Sequence, residues 1–80
     1  MTPEEIKKSI VAEILAIAPE IDESEIVPDA NLQRSLEIDS FDFLKILTAL
    51  KEKVGVEVSE SDYAKVDTLE HMTDYFAQRV

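Results

Sequence analysis

Apolar residues Ile6, Ile10, Val11, Ile14, Leu15 and Ile17 recur at three- and four-residue spacing, which predicts an amphipathic helix with one buried face. Thr2-Pro3-Glu4-Glu5 starts it: Thr2 is an N-cap, Pro3 suits the first helical position, and Glu5 returns the capping-box bond. Pro19 stops it at about Ala18, because a proline disfavours helical backbone in the residue before it. From Pro19 to Asp39 no period persists, and Pro28 follows the isolated apolar pair Ile26-Val27. The expectation is a loop of about 20 residues, long for a small domain, pinned to the core by Ile21, Ile26, Leu32 and Leu36.

The helical period then resumes. Phe43, Leu47, Leu50 and Val54 form one stripe flanked by Leu44 and Ile46, predicting a helix from about Ser40 to Val54. Gly55, the only glycine, is its left-handed cap. Phe41, Asp42, Lys45, Thr48, Ala49 and Glu52 fall on the opposite side. Val56-Glu57-Val58 alternates like a strand but has no companion run, so it reads as an extended link burying two valines. Ser59-Glu60-Ser61-Asp62 resembles a cap opening a short helix through about Lys65. Thr68 precedes a last helix with Leu69, Met72, Tyr75, Phe76 and Val80 inward, and Arg79 suiting its C-terminal dipole.

Composition narrows the function. Eighty residues predict one domain, 1–80, with a simple core. The net charge is −10, with 18 acidic against 8 basic residues, which opposes nucleic-acid binding and favours basic protein partners. Residues 20–42 hold eight of the acids and a single base, Arg34, so the negative field is concentrated before the second long helix. There is no cysteine, hence no disulfide and no thiolate nucleophile. The N-terminus lacks the pattern of a signal peptide, and no apolar run has the length of a membrane span, so a cytoplasmic monomer is expected. Asp29-x-Asn31 lacks the glycine and terminal glutamate of a calcium loop, and no metal site is expected.

Ser40 with His71 would make a poor catalytic pair, in a chain with one histidine and no Gly-x-Ser-x-Gly turn. His71 reads as solvated, and the carboxylates show no reason for shifted pKa values. Ser40 is more telling by its position. Asp39-Ser40 opens a helix, placing a hydroxyl where backbone N–H groups point outward unpaired. A phosphodiester there would lie in the positive end of the helix dipole, worth roughly 0.3–1 kcal/mol when exposed.

The run Leu36-Glu37-Ile38-Asp39-Ser40-Phe41-Asp42 resembles the modification site of acyl carrier proteins, commonly Leu-Gly-x-Asp-Ser-Leu-Asp. The likeness extends to the mid-chain position, the acidic composition and the order of helices, and so covers nearly the whole chain. It implies an all-α four-helix bundle with a long first loop and a short third helix. It implies a carrier rather than an enzyme, with 4′-phosphopantetheine from coenzyme A on Ser40 and Asp39 in support. Acyl groups would ride as thioesters on the arm's thiol. The implied partners are a phosphopantetheinyl transferase and acyl ligases, synthases or acyltransferases with basic docking patches, meeting Glu37, Phe41, Asp42, Lys45 and Glu52.

The chain departs from the family at Glu37, commonly glycine, and at Phe41, commonly leucine. Lys45, Lys51 and Lys53 stand where acids are usual, which points to a specialised carrier. Phe41 reads either as a docking knob or as a ring partly buried against the loop or the third helix. The alternative function is an unmodified acidic interaction module in which Ser40 merely caps its helix.

Overall fold

The computed structural model describes residues 1–80. In the first helix, α1 (Pro3–Ile17), the capping box closes in both directions: Thr2 Oγ1 accepts the Glu5 N–H at 3.2 Å and Glu5 Oε1 accepts the Thr2 N–H at 3.0 Å. Ala18 caps the other end through its N–H to Ile14 O, immediately before Pro19. Ile6, Ile10 and Ile14 have no exposed surface, while Val11, Leu15 and Ile17 pack against the core from its margin. Spacing and caps therefore account for both the limits and the buried face of α1.

The segment expected to be an irregular loop contains two short elements. Asp22 accepts the N–H of Ser24 at 2.9 Å and opens a 3-10 turn, Glu23–Glu25. Asn31 Oδ1 accepts the Arg34 N–H at 2.9 Å and caps a five-residue helix, α2 (Leu32–Leu36). Five residues are too few to show a helical period, but Asn31 supplies a cap and Leu32 and Leu36 lie one turn apart on the buried side. The pins Ile21, Ile26, Leu32 and Leu36 are all buried, as the sequence predicts. Backbone bonds from Leu32 N to Asp67 O (2.8 Å) and from Glu70 N to Pro28 O (3.0 Å) tie the segment to the start of the last helix.

The second long helix, α3 (Ser40–Val54), has the predicted limits and ends on Gly55 at φ 82°. Phe43, Ile46, Leu47 and Leu50 are buried; Leu44, expected at the edge of that face, is 40% exposed. The link after α3 buries Val56 and Val58 as expected. The short third helix is a 3-10 helix, Glu60–Val66, and Ser59 makes no capping bond; its hydroxyl pairs instead with that of Ser61 at 3.1 Å. The last helix, α4 (Leu69–Ala77), is capped by Thr68, whose Oγ1 accepts the His71 N–H. Leu69, Met72, Tyr75 and Phe76 are buried, but Val80 is exposed because α4 stops at Ala77.

Helix α1 packs on both α3 and α4, and α4 packs on the 3-10 helix, around one cluster of 20 buried apolar residues. This all-α arrangement is the expected bundle, with a long first connection and a short third helix. Ionic contacts join elements at its surface: Lys53 Nζ lies 2.6 Å from Glu13 of α1, and Lys51 Nζ 3.0 Å from Glu57. No helix is long and apolar enough to cross a membrane.

Candidate functional site

The turn between α2 and α3 displays Ser40. Leu36 and Ile38 bury their side chains before it and Phe43 buries its ring after it, so the backbone between is anchored on both sides. Between the first two, Glu37 adopts φ 54° and ψ 42°, the left-handed conformation, and Gln33 O accepts the N–H groups of Glu37 and Ile38. Glu37 is the only non-glycine residue with positive φ. An L residue there costs about 1–2 kcal/mol, which explains why glycine suits this position.

Asp39, not Ser40, is the N-cap of α3. Its Oδ1 accepts the Asp42 N–H at 2.8 Å and its carbonyl accepts the Phe43 N–H at 3.0 Å. Ser40 is the first helical residue and is exposed. With capping done by its neighbour, the Ser40 hydroxyl has no hydrogen bond within the chain, and the N–H groups of Ser40 and Phe41 have no protein acceptor. An exposed hydroxyl beside two unpaired N–H groups fits a phosphate ester, since the donors solvate the anion and the helix dipole favours it.

The surface around Ser40 mixes charge with apolar area. Phe41 is 78% exposed, so its ring is buried against neither the loop nor the 3-10 helix. Leu44 adds a second apolar contact one turn on. Lys45 Nζ stands 3.8 Å from Asp42, and the lysine side chain is 65% exposed. Glu52 shares this face of α3 but lies 12 residues on, about 18 Å along the axis, so Glu37, Phe41, Asp42 and Lys45 gather near Ser40 and Glu52 does not. Lys51 and Lys53 are committed to Glu57 and Glu13, which separates Lys45 from them as the lysine of the serine-bearing face.

His71 plays no part at Ser40. Its Nδ1 lies 2.7 Å from Asp67 Oδ1 at the start of α4, and this bond raises its pKa above the ordinary 6.5. Three carboxylates do shift, against the sequence expectation, because hydrogen bonding can move a pKa without burial. Glu5 is lowered by its bonds with Thr2, Asp22 by Ser24, and Asp62 by the Tyr75 hydroxyl at 2.7 Å. Tyr75 rises correspondingly, and Arg79 stacks 3.5 Å from the centre of its ring. An open groove of about 810 Å³ runs along α1 past Ile26 and Pro28 to Leu69 and includes no residue of α3.

Comparison with known proteins agrees with this geometry. The family model described as "Phosphopantetheine attachment site" matches residues 8–76. The acyl carrier protein of Rubrobacter xylanophilus is 36% identical over 78 residues, covering 98% of this chain and 95% of that protein. That of Lactobacillus johnsonii is 33% identical over 75 residues, covering 94% and 92%. Among solved structures, the acyl carrier protein from Enterococcus faecalis superposes with a TM-score of 0.82 at 24% identity over the full length of both chains, a likeness of fold.

Proposed function

Since this chain belongs to the acyl carrier protein family, and so carries acyl groups on 4′-phosphopantetheine without catalysing their chemistry, we propose that Ser40 Oγ is the atom esterified by that arm. The observation that carries the reading is the division of labour between neighbours: Asp39 spends its carboxylate on the helix cap and Ser40 keeps an exposed, unengaged hydroxyl. The arm supplies the thiol on which acyl groups are held as thioesters, a group this cysteine-free chain lacks. The chain contributes the anchor. Leu36, Ile38 and Phe43 hold the turn still, Asp39 orients the first turn of α3, and the free N–H groups of Ser40 and Phe41 receive the phosphate.

Residues 1–80 act as one carrier unit in this reading, a cytoplasmic monomer kept apart from its copies by a charge of −10. Acyl-processing enzymes are its partners. Glu37, Phe41, Asp42, Lys45 and, farther along, Glu52 form the face met by a phosphopantetheinyl transferase and by acyl ligases, synthases or acyltransferases with basic patches. Charge complementarity raises encounter rate more than affinity, which suits a substrate passed between enzymes. Lys45 and Phe41 give this face a mixed character and support service to a dedicated partner. Lys45→Glu or Phe41→Leu would then increase use by general fatty-acid enzymes, and no gain from either removes that support.

Incubation with coenzyme A and a broad-specificity transferase, read by intact mass, tests the attachment. The reading expects one phosphopantetheine on the wild-type chain and none on Ser40→Ala. An unmodified wild-type chain favours the acidic interaction module instead.

A further inference from the structure

Helix α1 carries more apolar surface than the core covers. Ile6, Ile10 and Ile14 are fully buried, but Val11 and Leu15, each one place later and so about 100° farther round the helix, are only partly buried. Lys7 stands in the same relation to Ile6, so Lys7, Val11 and Leu15 form a second row beside the core row. That row lines one wall of the groove of about 810 Å³; Ile26, Pro28 and Leu69 line the other. Helix α3 packs on the opposite flank of α1, where Glu13 meets Lys53. The groove therefore faces away from the helix that Ser40 begins.

Its rim holds cations that the fold does not use. Lys45, Lys51, Lys53 and Lys65 are each paired with a carboxylate, and Arg79 lies on the Tyr75 ring. Lys7 and Lys8 form no ion pair, although Glu4 and Glu23 line the same groove. Arg34, the other base without a carboxylate partner, stands apart on α2. In a chain of net charge −10, two adjacent unengaged lysines thus border an uncovered apolar surface.

We propose that this groove is a second docking surface, which takes an amphipathic helix of a partner protein with acidic residues at the end that meets Lys7 and Lys8. Length and charge choose the occupant. From Glu4 to Leu15 the groove follows α1 for about 16 Å, or three helical turns, which matches apolar residues at i, i+3 or i+4, and i+7 on a partner helix. An alkyl chain in so open a groove would stay exposed to water along one side, whereas a helix covers both walls with its own face. A basic helix would set its charges against the lysines; an acidic end supplies their counter-ions. The overall negative charge repels acids placed elsewhere on the partner, so the lysines also fix the direction in which the helix lies. A protein bound here leaves Ser40 uncovered, and the carrier can be held by one partner while its arm is served by another. That consequence rests on the reading of Ser40; the docking surface does not.

NMR titration of the full chain tests it with two synthetic helical peptides that share one leucine stripe and carry either glutamates or lysines in the first turn. The glutamate peptide is expected to shift the amides of Lys8, Val11, Leu15, Ile26 and Leu69. Replacing both lysines, Lys7→Glu with Lys8→Glu, should weaken it about tenfold at low salt and less at high salt. Val11→Ala with Leu15→Ala should weaken it about tenfold at every salt concentration. Circular dichroism confirms that each variant is folded. Three results overturn the inference: no shift with the glutamate peptide at about 1 mM, where even a weak site fills; equal binding of the lysine peptide; or shifts centred on Phe41 and Leu44. Dodecanoate moving the groove amides when the peptide does not would make the occupant an alkyl chain and overturn it too. Transferase loading of the peptide-bound chain should stay within about twofold of the free chain, and a greater loss overturns the separation of the two surfaces. A chain that no transferase loads overturns the reading of Ser40 and leaves the peptide result standing.

Discussion

Asp39 caps the helix that Ser40 begins: its Oδ1 accepts the Asp42 N–H at 2.8 Å, so the adjacent hydroxyl is spared that task. The arrangement couples stability to presentation, because the residue that starts α3 is also the one that fixes where Ser40 points. Asp39→Ala should lose about 1 kcal/mol of stability. In a domain of this size that lowers the thermal midpoint by roughly 4–8 °C. Asp39→Asn retains an acceptor at the cap and should recover most of the loss. A melt of the two variants beside wild type checks both statements.

At Glu37 the backbone and side chain disagree, with φ at 54°. Removing the side chain relieves about 1–2 kcal/mol of left-handed strain, offset by the roughly 0.5–1 kcal/mol that glycine loses in flexibility on folding. Glu37→Gly should therefore stabilise the chain by about 0.5–1 kcal/mol in urea unfolding. Glu37→Val, β-branched, should destabilise it. Equal stability of Glu37→Gly and wild type would show that the strain at the turn is no greater than glycine's own entropic cost of roughly 0.5–1 kcal/mol.

Lys53 and Glu13 join α3 to α1 at 2.6 Å, with the Glu13 side chain only 14% exposed and Lys53 49% exposed. The half-exposed lysine keeps the interaction modest. A double-mutant cycle with Lys53→Met and Glu13→Gln should give a coupling of about 1 kcal/mol, smaller in 1 M salt. A coupling of zero would show that this contact does not hold α3 to α1.

His71 should titrate above 6.5, chiefly through its bond to Asp67 and secondarily through the nearby charges of Asp67, Glu70 and Asp74, with its partial desolvation opposing them. A pKa higher in the folded than in the unfolded chain stabilises the fold. That contribution is complete below the unfolded value near 6.5 and is lost as pH rises through the folded value. Asp62 runs the other way: the Tyr75 hydroxyl lowers its pKa, so its contribution is present above the unfolded carboxylate value and lost as pH falls through the folded one. NMR titration of the His71 ring checks the first claim, and Asp67→Asn should bring the midpoint down.

What could be read from the residues divides by distance along the chain. The cap at Thr2 with Pro3 after it, the stop at Pro19 and the left-handed Gly55 are local signals, and α1 and α3 have the limits that these and the apolar spacing predict. Helix α2 was hidden because its two apolar residues, Leu32 and Leu36, make a single turn rather than a period. Its one legible sign was Asn31, followed by a position, Glu37, where the resembling family keeps glycine. Leu44 and Val80 were misplaced because spacing gives direction around a helix but not how far the neighbouring elements reach. The Tyr75–Asp62 and Lys53–Glu13 contacts join residues 13 and 40 positions apart, which no local pattern announces. At the proposed site, Ser40 stood out in the sequence as a candidate at the start of a helix, but the assignment of capping to Asp39 and the strain at Glu37 needed backbone geometry.

The central claim is that Ser40 holds the arm. After loading with coenzyme A and transferase, proteolysis and mass mapping should find a single phosphopantetheine on the peptide that contains Ser40, with Ser9, Ser24, Ser35, Ser59 and Ser61 unmodified. Modification of any of those five, or a wild-type chain that stays at its unmodified mass with every active transferase tried, would contradict it.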